Sequence, residues 1–516
     1  MKSLIKNFYF SISSTNKEIF NIGLINLING LLDLVKSILV VRIFGISREI
    51  EIYFASIVLI QTIDKIFIMG VTTDIFIPVY IKIKEKFGSV AAMEFFSVIL
   101  NYFFLFGIFL ILFLGITFNS LSQFLLPGFT NTEVESVKTF FFIILIITPI
   151  KIINGITSIP FRSDKVYTVH EKAGFINRVI LILFILTLTD NYGTSILVYG
   201  ILSGIFLRFI YTIYLFVKYE YKYQLVLVSK YVSTRDILKK LSAPMIRTAG
   251  LQLNRWITLA AFTLVTPGLF AIYKYVEQLF NNYWSIVTKA LGTVFMTEIS
   301  VHENMYDKKF ISNFLNKCIF VSIISFVLSF CVGKELITLF WYSSKYGTEE
   351  INVAFIFFLI HTGMMFFNLL ENAYSKMNIS RGDIFQQFIG TFFINLLGSI
   401  FLLIIAEEYG VVAIIISGLF RAIGIFTLSI SINFFNEKSK FTFVKKNELF
   451  KPLLQSFIIS GVLYLFWVET ANYIFDYDVL QIILSIIIKI IVFLILFILT
   501  NSLFKVYDFK KLLFEK

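Results

Sequence analysis

Charged residues are scarce in this sequence, making up 15% of its 516 residues, whereas hydrophobic residues make up 58%. The mean hydropathy is +0.84. A water-soluble protein needs more polar surface than this composition supplies. There is also no polar stretch long enough for an extramembrane catalytic domain. The composition therefore excludes a soluble enzyme and predicts a polytopic membrane protein.

Cysteine, histidine and phosphate-binding motifs are also scarce. The two cysteines, Cys318 and Cys331, lie in one apolar segment without a CxxC motif, so the sequence predicts neither a disulfide framework nor a thiolate metal site. The three histidines are scattered along the chain. A P-loop needs a glycine five residues before its Gly-Lys pair, but the position that precedes Gly333-Lys334 by five residues is Leu328. We therefore expect no metal, no cofactor and no ATPase activity, and any work must draw on gradients or binding energy.

Fourteen apolar runs are long enough to cross a bilayer. Because they are continuously apolar rather than alternating, they predict helices and an all-α bundle instead of a β-barrel. The first run is too long for a cleavable signal, and we expect it to be retained. The predicted spans are residues 19–44, 52–81, 92–118, 136–159, 174–189, 193–217, 236–265, 269–300, 310–340, 351–375, 384–406, 409–435, 452–475 and 479–504.

Charge placement supports an even number of spans. With the N-terminus inside, the cytoplasmic segments carry 28 lysines and arginines and the opposite loops carry 5. Short cytoplasmic loops collect positive charge, so both termini are predicted to be cytoplasmic in a multi-pass protein of the inner membrane. The net charge of +12 then reflects orientation against an anionic leaflet, and no nucleic-acid partner is expected.

The most polar connector divides the chain into two similar halves. The predicted N-terminal lobe is 1–217 (spans one to six), followed by a basic cytoplasmic connector at 218–240. The predicted C-terminal lobe is 241–435 (spans seven to twelve). A terminal helix pair and tail occupy 436–516.

Several ionisable residues lie in the middle of spans. A charge at the bilayer centre costs about 2.5–3.5 kcal/mol, so these side chains must face one another or water. They share polar stripes on spans one, two, seven and eight, which predicts a water-filled cavity whose excess of lysine and arginine suits an anionic cargo. The candidate substrate-binding residues are Asn29, Lys36, Lys65, Arg255, Lys274 and Gln278, and the candidate counter-charges or gating residues are Asp33, Asp64 and Glu277.

The same charges allow a simpler interpretation. Asp33 with Lys36, Asp64 with Lys65, and Lys274 with Glu277 could be neutralised pairs that only fix helix packing. Arg178 lies near a span end, where snorkelling to headgroups competes with a role in cargo binding. Lys489 is isolated in the terminal pair and is a candidate contact for a lipid phosphate in a lipid groove.

Short motifs spread along the chain resemble one family. They are Val41-Arg42-Ile43-Phe44-Gly45 followed by Glu51 and Tyr53-Phe54, then Ile77-Pro78-Val79, Pro127-Gly128-Phe129 and Ala290-Leu291-Gly292-Thr293. In order and spacing they resemble the lipid II flippases (MurJ/MviN) of the multidrug/oligosaccharidyl-lipid/polysaccharide exporter superfamily. The resemblance covers nearly the whole chain in span count and loop placement.

The resemblance implies a two-lobed, V-shaped bundle that moves a polyprenyl-pyrophosphate-linked sugar across the cytoplasmic membrane by alternating access. It also implies that spans thirteen and fourteen form a groove for the lipid tail. Lys36 falls where the family has an arginine, which implies a phosphate-binding role. The chain departs from the family at Gly30, Ser37 and Gln278, although Lys274 lies one turn from Gln278. These departures favour a relative that serves a surface polysaccharide.

The leading hypothesis is therefore a flippase, and not an enzyme, for an undecaprenyl-pyrophosphate-linked saccharide, either lipid II or a polysaccharide repeat unit. Its expected partners are that substrate, membrane lipids and polysaccharide assembly proteins. A cation-coupled multidrug antiporter of the same superfamily is one alternative, but it would need an acidic cavity. A polytopic glycosyltransferase or polymerase is another, but it would need a sizeable outer loop. A scaffold would leave the polar stripes unexplained.

Overall fold

The computed structural model shows helices as the only regular secondary structure among the residues that it describes. Those residues are 14–64, 76–164, 166, 168–228, 230–231, 234–284, 308–341, 347–381, 383–435, 454–455, 458–459, 461–462 and 479–504. The sequence-based prediction of an all-α polytopic fold is confirmed.

Contacts between Cα atoms group the chain into two compact units. Unit 1 contains Met1–Val40 and Arg48–Thr263, and unit 2 contains Val41–Ser47 and Leu264–Lys516. The predicted lobe boundaries at residues 217 and 241 rest on the position of the basic connector and stay a prediction.

The helices of the two units are numbered in chain order. The helices that begin in unit 1 are α1 (Ser14–Phe44), α2 (Arg48–Asp64), α3 (Ile77–Phe87), α4 (Ser89–Leu125), α5 (Asn131–Ile146), α6 (Thr148–Ile156), α7 (Ser158–Ser163), α8 (Thr168–Tyr192), α9 (Ser195–Lys218) and α10 (Thr234–Leu264). The helices in the described part of unit 2 are α11 (269–284), α12 (Lys308–Phe340), α13 (Thr348–Arg381), α14 (Ile384–Tyr409), α15 (Val411–Phe435) and α16 (Val479–Phe504).

Among the described residues, nine helices are long and apolar enough to cross a membrane, and a bent helix pair makes a possible tenth. Predicted and observed bounds agree closely: the span predicted at 92–118 lies inside α4, and the one predicted at 479–504 coincides with α16. Helices α2 and α11 lead into stretches outside the described residues.

The fourth predicted span, 136–159, is not one straight helix. It is divided into α5, α6 and α7, with a bend of 41° between α5 and the pair that follows. Pro149 is near the start of α6 and Pro160 lies in α7. Proline has no N–H to donate and its ring clashes with the preceding turn, so each proline accounts for the break just before it.

Arg48, at the start of α2, joins two of the motifs that resemble the flippase family. Its guanidinium lies 2.8 Å from Glu51 Oε2 and 2.8 Å from Glu133 Oε1, and it donates to the Gly128 carbonyl at 2.9 Å. It also stacks over the Phe129 ring at 4.1 Å. Since Glu51 is only 1% exposed, Arg48 supplies the partner that this buried carboxylate needs.

Two glycines on α9 allow it to approach α8 closely. A Cβ atom at Gly204 would lie 2.1 Å from Asn177 Oδ1 and 3.0 Å from the Asn177 carbonyl oxygen. A Cβ atom at Gly200 would lie 2.6 Å from Leu181 Cδ1. In a bilayer, where lipid tails compete for apolar surfaces, such small-residue contacts are a main source of helix association.

Unit 2 contains a buried uncharged network across α13, α14 and α15. Asn378 Nδ2 donates to Gln387 Oε1 at 2.8 Å, and Gln387 Nε2 donates to Ser429 Oγ at 2.8 Å. Asn433 Nδ2 bonds Asn378 Oδ1 and the Ser429 carbonyl. Because these side chains satisfy one another, the three helices are joined without an exposed polar group.

Gly204→Ala is expected to destabilise unit 1 by about 1–3 kcal/mol, because the added methyl overlaps α8. The matched control is Gly30→Ala on α1, where no atom lies within 4 Å of the added Cβ, and stability should stay equal or rise slightly. Thermal unfolding in detergent, followed by far-UV circular dichroism, measures both variants. Equal melting temperatures for the two would contradict the close approach of α8 and α9.

Arg48→Met is expected to lower the free energy of unfolding by roughly 3 kcal/mol, because Glu51 keeps a buried charge and loses its cation. Removing both charges in Arg48→Met/Glu51→Met should recover part of that loss. Lys138→Met, which breaks the exposed pair with Glu135, should change stability by less than about 0.5 kcal/mol. Chemical denaturation in mixed micelles compares them, and a double variant no more stable than Arg48→Met would oppose this role for Arg48.

Candidate substrate-binding site

Asp33 in unit 1 is shared between two cations. Its Oδ1 atom lies 3.2 Å from Lys36 Nζ on the same helix, and its Oδ2 atom lies 2.8 Å from Arg178 Nε on α8. The three side chains are 24–29% exposed, so the cluster is partly accessible. Two positive groups share one negative group, and the cluster therefore carries a net charge of +1.

The cluster follows from helix geometry and one contact distant in sequence. Asp33 and Lys36 are three residues apart on α1, a spacing that places side chains on the same face. Arg178 is 145 residues away in sequence, and only the packing of α8 against α1 brings it to Asp33. Ser37, at the position of the family's acidic residue, donates its hydroxyl to the Asp33 carbonyl at 2.8 Å.

Asn29, predicted to bind substrate, lies one turn before Asp33 and is 4% exposed. Its Nδ2 atom donates to the Glu171 carbonyl at 3.1 Å, and its Oδ1 atom has no hydrogen-bond partner among the residues that the structure describes. The amide therefore joins α1 to α8 next to the charged cluster and keeps one acceptor unused. Its role in binding stays a prediction.

Arg255 is half-buried on α10, and its role in binding stays a prediction. A guanidinium in a membrane protein is costly unless it meets a partner, water or an anion. Lys65 lies outside the described residues, and so does the side chain of Asp64, although its backbone ends α2.

Lys274 and Glu277 form the predicted pair in unit 2. Lys274 Nζ lies 2.6 Å from Glu277 Oε2, and the side chains are 13% and 21% exposed. Lys274 Nζ also lies 5.6 Å from the centre of the Phe270 ring and 5.9 Å from that of Tyr273, both on the same helix. Two aromatic faces and one carboxylate therefore hold this ammonium group.

Sequence reasoning set His361 aside as one of three scattered histidines, yet it packs against the Lys274 region. Its ring stacks on Phe280 with centroids 5.2 Å apart and lies 5.6 Å from Tyr273. It interacts electrostatically with both Glu277 and Lys274. Gln278, another predicted substrate contact, lies half-buried on α11, the helix of Lys274. No pattern in the sequence pointed to His361, because it comes from α13.

Lys489, the candidate for a lipid groove, has a buried partner. Its Nζ atom forms an ion pair with Glu335 of α12, and the two residues are 5% and 1% exposed. Since Glu335 already compensates its charge, this lysine joins α16 to α12. Its role in lipid binding stays a prediction.

The accessible clusters share a property that the buried pair lacks. In each, a lysine ammonium is held by a carboxylate three residues away while the side chains remain partly exposed. An incoming anion can therefore compete with the carboxylate for the lysine, which is the chemistry needed to bind and release a phosphate group.

Comparison with known proteins shows the family of this chain. The profile of the family described as "Lipid II flippase MurJ" matches residues 40–485. The chain is 22% identical over 378 residues to the "Probable lipid II flippase MurJ" of Buchnera aphidicola subsp. Acyrthosiphon pisum (strain APS), covering 69% of this chain and 72% of that protein.

Solved structures show the same fold. The structure "Lipid II flippase MurJ, inward closed conformation" has a TM-score of 0.75 at 18% identity, covering 93% of this chain and 98% of that one. An inward-facing multidrug resistance MATE family transporter of the MOP superfamily has a TM-score of 0.59 at 14% identity, covering 78% of this chain and 94% of that one.

The family match confirms that the protein is a transporter rather than an enzyme and that it resides in the inner membrane. It also confirms the resemblance inferred from the motifs. Because the profile covers most of the sequence, the chain belongs to the MurJ family of lipid II flippases.

Proposed function

We propose that the protein moves a polyprenyl-pyrophosphate-linked saccharide from the inner to the outer leaflet, with lipid II as the cargo. The observation that carries this proposal is the sharing of Asp33 between Lys36 and Arg178, which leaves a net positive, partly accessible cluster. A pyrophosphate supplies the complementary charge and several hydrogen-bond acceptors.

Arg178 lowers the cost of transferring Lys36 from Asp33 to a phosphate oxygen of the cargo. When a phosphate oxygen takes Lys36 from Asp33 Oδ1, Asp33 Oδ2 keeps its hydrogen bond to Arg178 at 2.8 Å. The carboxylate is therefore not left as an uncompensated charge, which would cost several kcal/mol in a partly dry site. When cargo leaves, Asp33 recovers Lys36. Asp33 thus acts as a counter-charge and Arg178 as a positioning residue.

The remaining predicted contacts extend the proposal. Lys274 is a second phosphate ligand with Glu277 as its counter-charge. Arg255 is a third proposed ligand, because its cation lies half-buried on α10. The remaining residues proposed to contact the cargo or to balance charge are Asn29, Gln278, Lys65 and Asp64. Outward movement of an anion is favoured by an inside-negative potential, by about 2.3 kcal/mol per charge per 100 mV.

The family match supports lipid II over a polysaccharide repeat unit. The departures at Gly30, Ser37 and Gln278 are the features that favour a repeat unit instead. Both cargoes present the same pyrophosphate to Lys36, so the Asp33 cluster does not discriminate between them. The two cargoes differ in their sugars, and a transport assay that compares them directly identifies the one that the protein moves.

Vesicles containing the purified protein test the function. Wild type should move labelled lipid II across the bilayer faster than a polyprenyl pyrophosphate carrying an unrelated oligosaccharide. Lys36→Met should slow movement by about 10–100-fold, because a hydrogen bond to a charged group contributes roughly 1.5–3 kcal/mol. Lys138→Met removes another lysine paired with a carboxylate three residues away, and should transport normally. Faster movement of the other glycan would reassign the cargo, and normal transport by Lys36→Met would reject the site.

The role of Arg178 is tested by its dependence on Asp33. Arg178→Met should weaken binding of polyprenyl pyrophosphate by about tenfold, because Asp33 then binds Lys36 alone. In an Asp33→Asn background the same substitution should cost less affinity, since the carboxylate that Arg178 positions is gone and only its long-range charge is lost. Equal losses of affinity in both backgrounds would mean that Arg178 contacts the cargo directly or only supports the fold.

A further inference from the structure

Unit 1 contains an apolar cavity apart from the charged cluster. It has a volume of about 430 Å³ and lies between α4, α6, α9 and the non-helical segment 219–226. That volume is in the range of small-molecule sites, roughly 300–1,000 Å³. Its wall is mostly aromatic and aliphatic and includes Phe96, Phe104, Phe209 and Ile213.

The polar side chains in the wall are already occupied by the protein. Asn101 Nδ2 donates to the Val226 carbonyl at 2.8 Å, and Tyr223 donates its hydroxyl to Asn101 Oδ1. Thr157 Oγ1 donates to the Asn154 carbonyl at 3.1 Å. A polar ligand would find few free partners, whereas a hydrocarbon chain requires none.

Tyr221, also in the wall, donates its hydroxyl to Asp164 Oδ2 at 2.8 Å. Burial alone would raise the pKa of Asp164, but hydrogen bonds from Lys84 and Tyr221 outweigh it and lower that pKa. Asp164 therefore remains ionised at neutral pH and keeps accepting from Tyr221.

The segment that closes one side of the cavity is fixed to α4. Gln224 N donates to Ser97 Oγ at 3.0 Å, and Lys230 N donates to Glu94 Oε1 at 3.2 Å. Glu94, Ser97 and Asn101 follow one another at intervals of three and four residues, so they form one face of α4. These hydrogen bonds hold the segment against α4, so this wall of the cavity has a defined position.

The cavity lies beside exposed apolar side chains and has a basic edge. Val217 is 68% exposed and Phe104 is 37% exposed, and both belong to helices long enough to span the membrane. Lys218 and Lys222 flank this part of the wall and are exposed. By the charge asymmetry of the sequence, this end of α9 faces the cytoplasm, where anionic lipid headgroups attract such lysines.

We propose that this cavity binds one acyl chain of an anionic phospholipid from the cytoplasmic leaflet, with Lys218 and Lys222 holding its headgroup. The lipid is separate from the cargo, so the inference does not depend on the proposed function. It fixes the wall at 219–226 to α4 and α9 by filling the space between them.

Photo-crosslinking tests this binding site. The wild-type protein is reconstituted with phosphatidylglycerol that carries a diazirine at the end of one acyl chain, and labelled peptides are mapped. We expect labelling at Phe96, Phe104 and Phe209. Ile213→Trp, which fills the cavity, should reduce that labelling by about tenfold. Ile210→Trp changes an exposed residue on the same helix and should leave it unchanged.

Two further arms identify the occupant. Phosphatidylcholine with the same diazirine should label the cavity less than phosphatidylglycerol, and Lys218→Gln/Lys222→Gln should remove the difference. Excess polyprenyl pyrophosphate should not displace the phospholipid. Equal labelling by both phospholipids, displacement by the polyprenyl chain, or no effect of Ile213→Trp would each overturn the proposal.

Discussion

A charge inside a bilayer needs a partner, and this requirement organises the described part of the protein. Asp33 binds Lys36 and Arg178, Lys274 binds Glu277, and Glu335 binds Lys489. Helices that are otherwise apolar on most faces are positioned by these contacts, since apolar packing alone discriminates weakly between neighbouring helices and lipid.

Accessibility separates the charges that stabilise the fold from those suited to transport. The Glu335–Lys489 pair is almost completely buried, so an anion has no route to compete for its lysine. The Asp33 and Lys274 clusters keep 13–29% of their side chains exposed, so exchange of partners is possible. A second cation on Asp33 makes that exchange less costly, because the carboxylate stays paired throughout.

The sequence predicted the helices and the local pairs well, because hydropathy and three-residue spacing are local signals. It could not predict Arg178 as a partner of Asp33, since the two are 145 residues apart. Arg48 entered the sequence analysis only as one of the five lysines and arginines of the outer loops, although it joins the motif residues Glu51 and Gly128. The Asn378 network and the apolar cavity were missed because they carry no charge and depend on how three or more elements pack.

The central claim is that Asp33 competes with the anionic cargo for Lys36. Equilibrium binding of polyprenyl pyrophosphate to Asp33→Asn tests it most directly, because this variant removes the competitor and raises the cluster from +1 to +2. The account predicts affinity about tenfold higher than wild type, with slower release and a steeper decrease as salt rises. Unchanged or weaker binding by this variant, with the fold intact, would contradict the account.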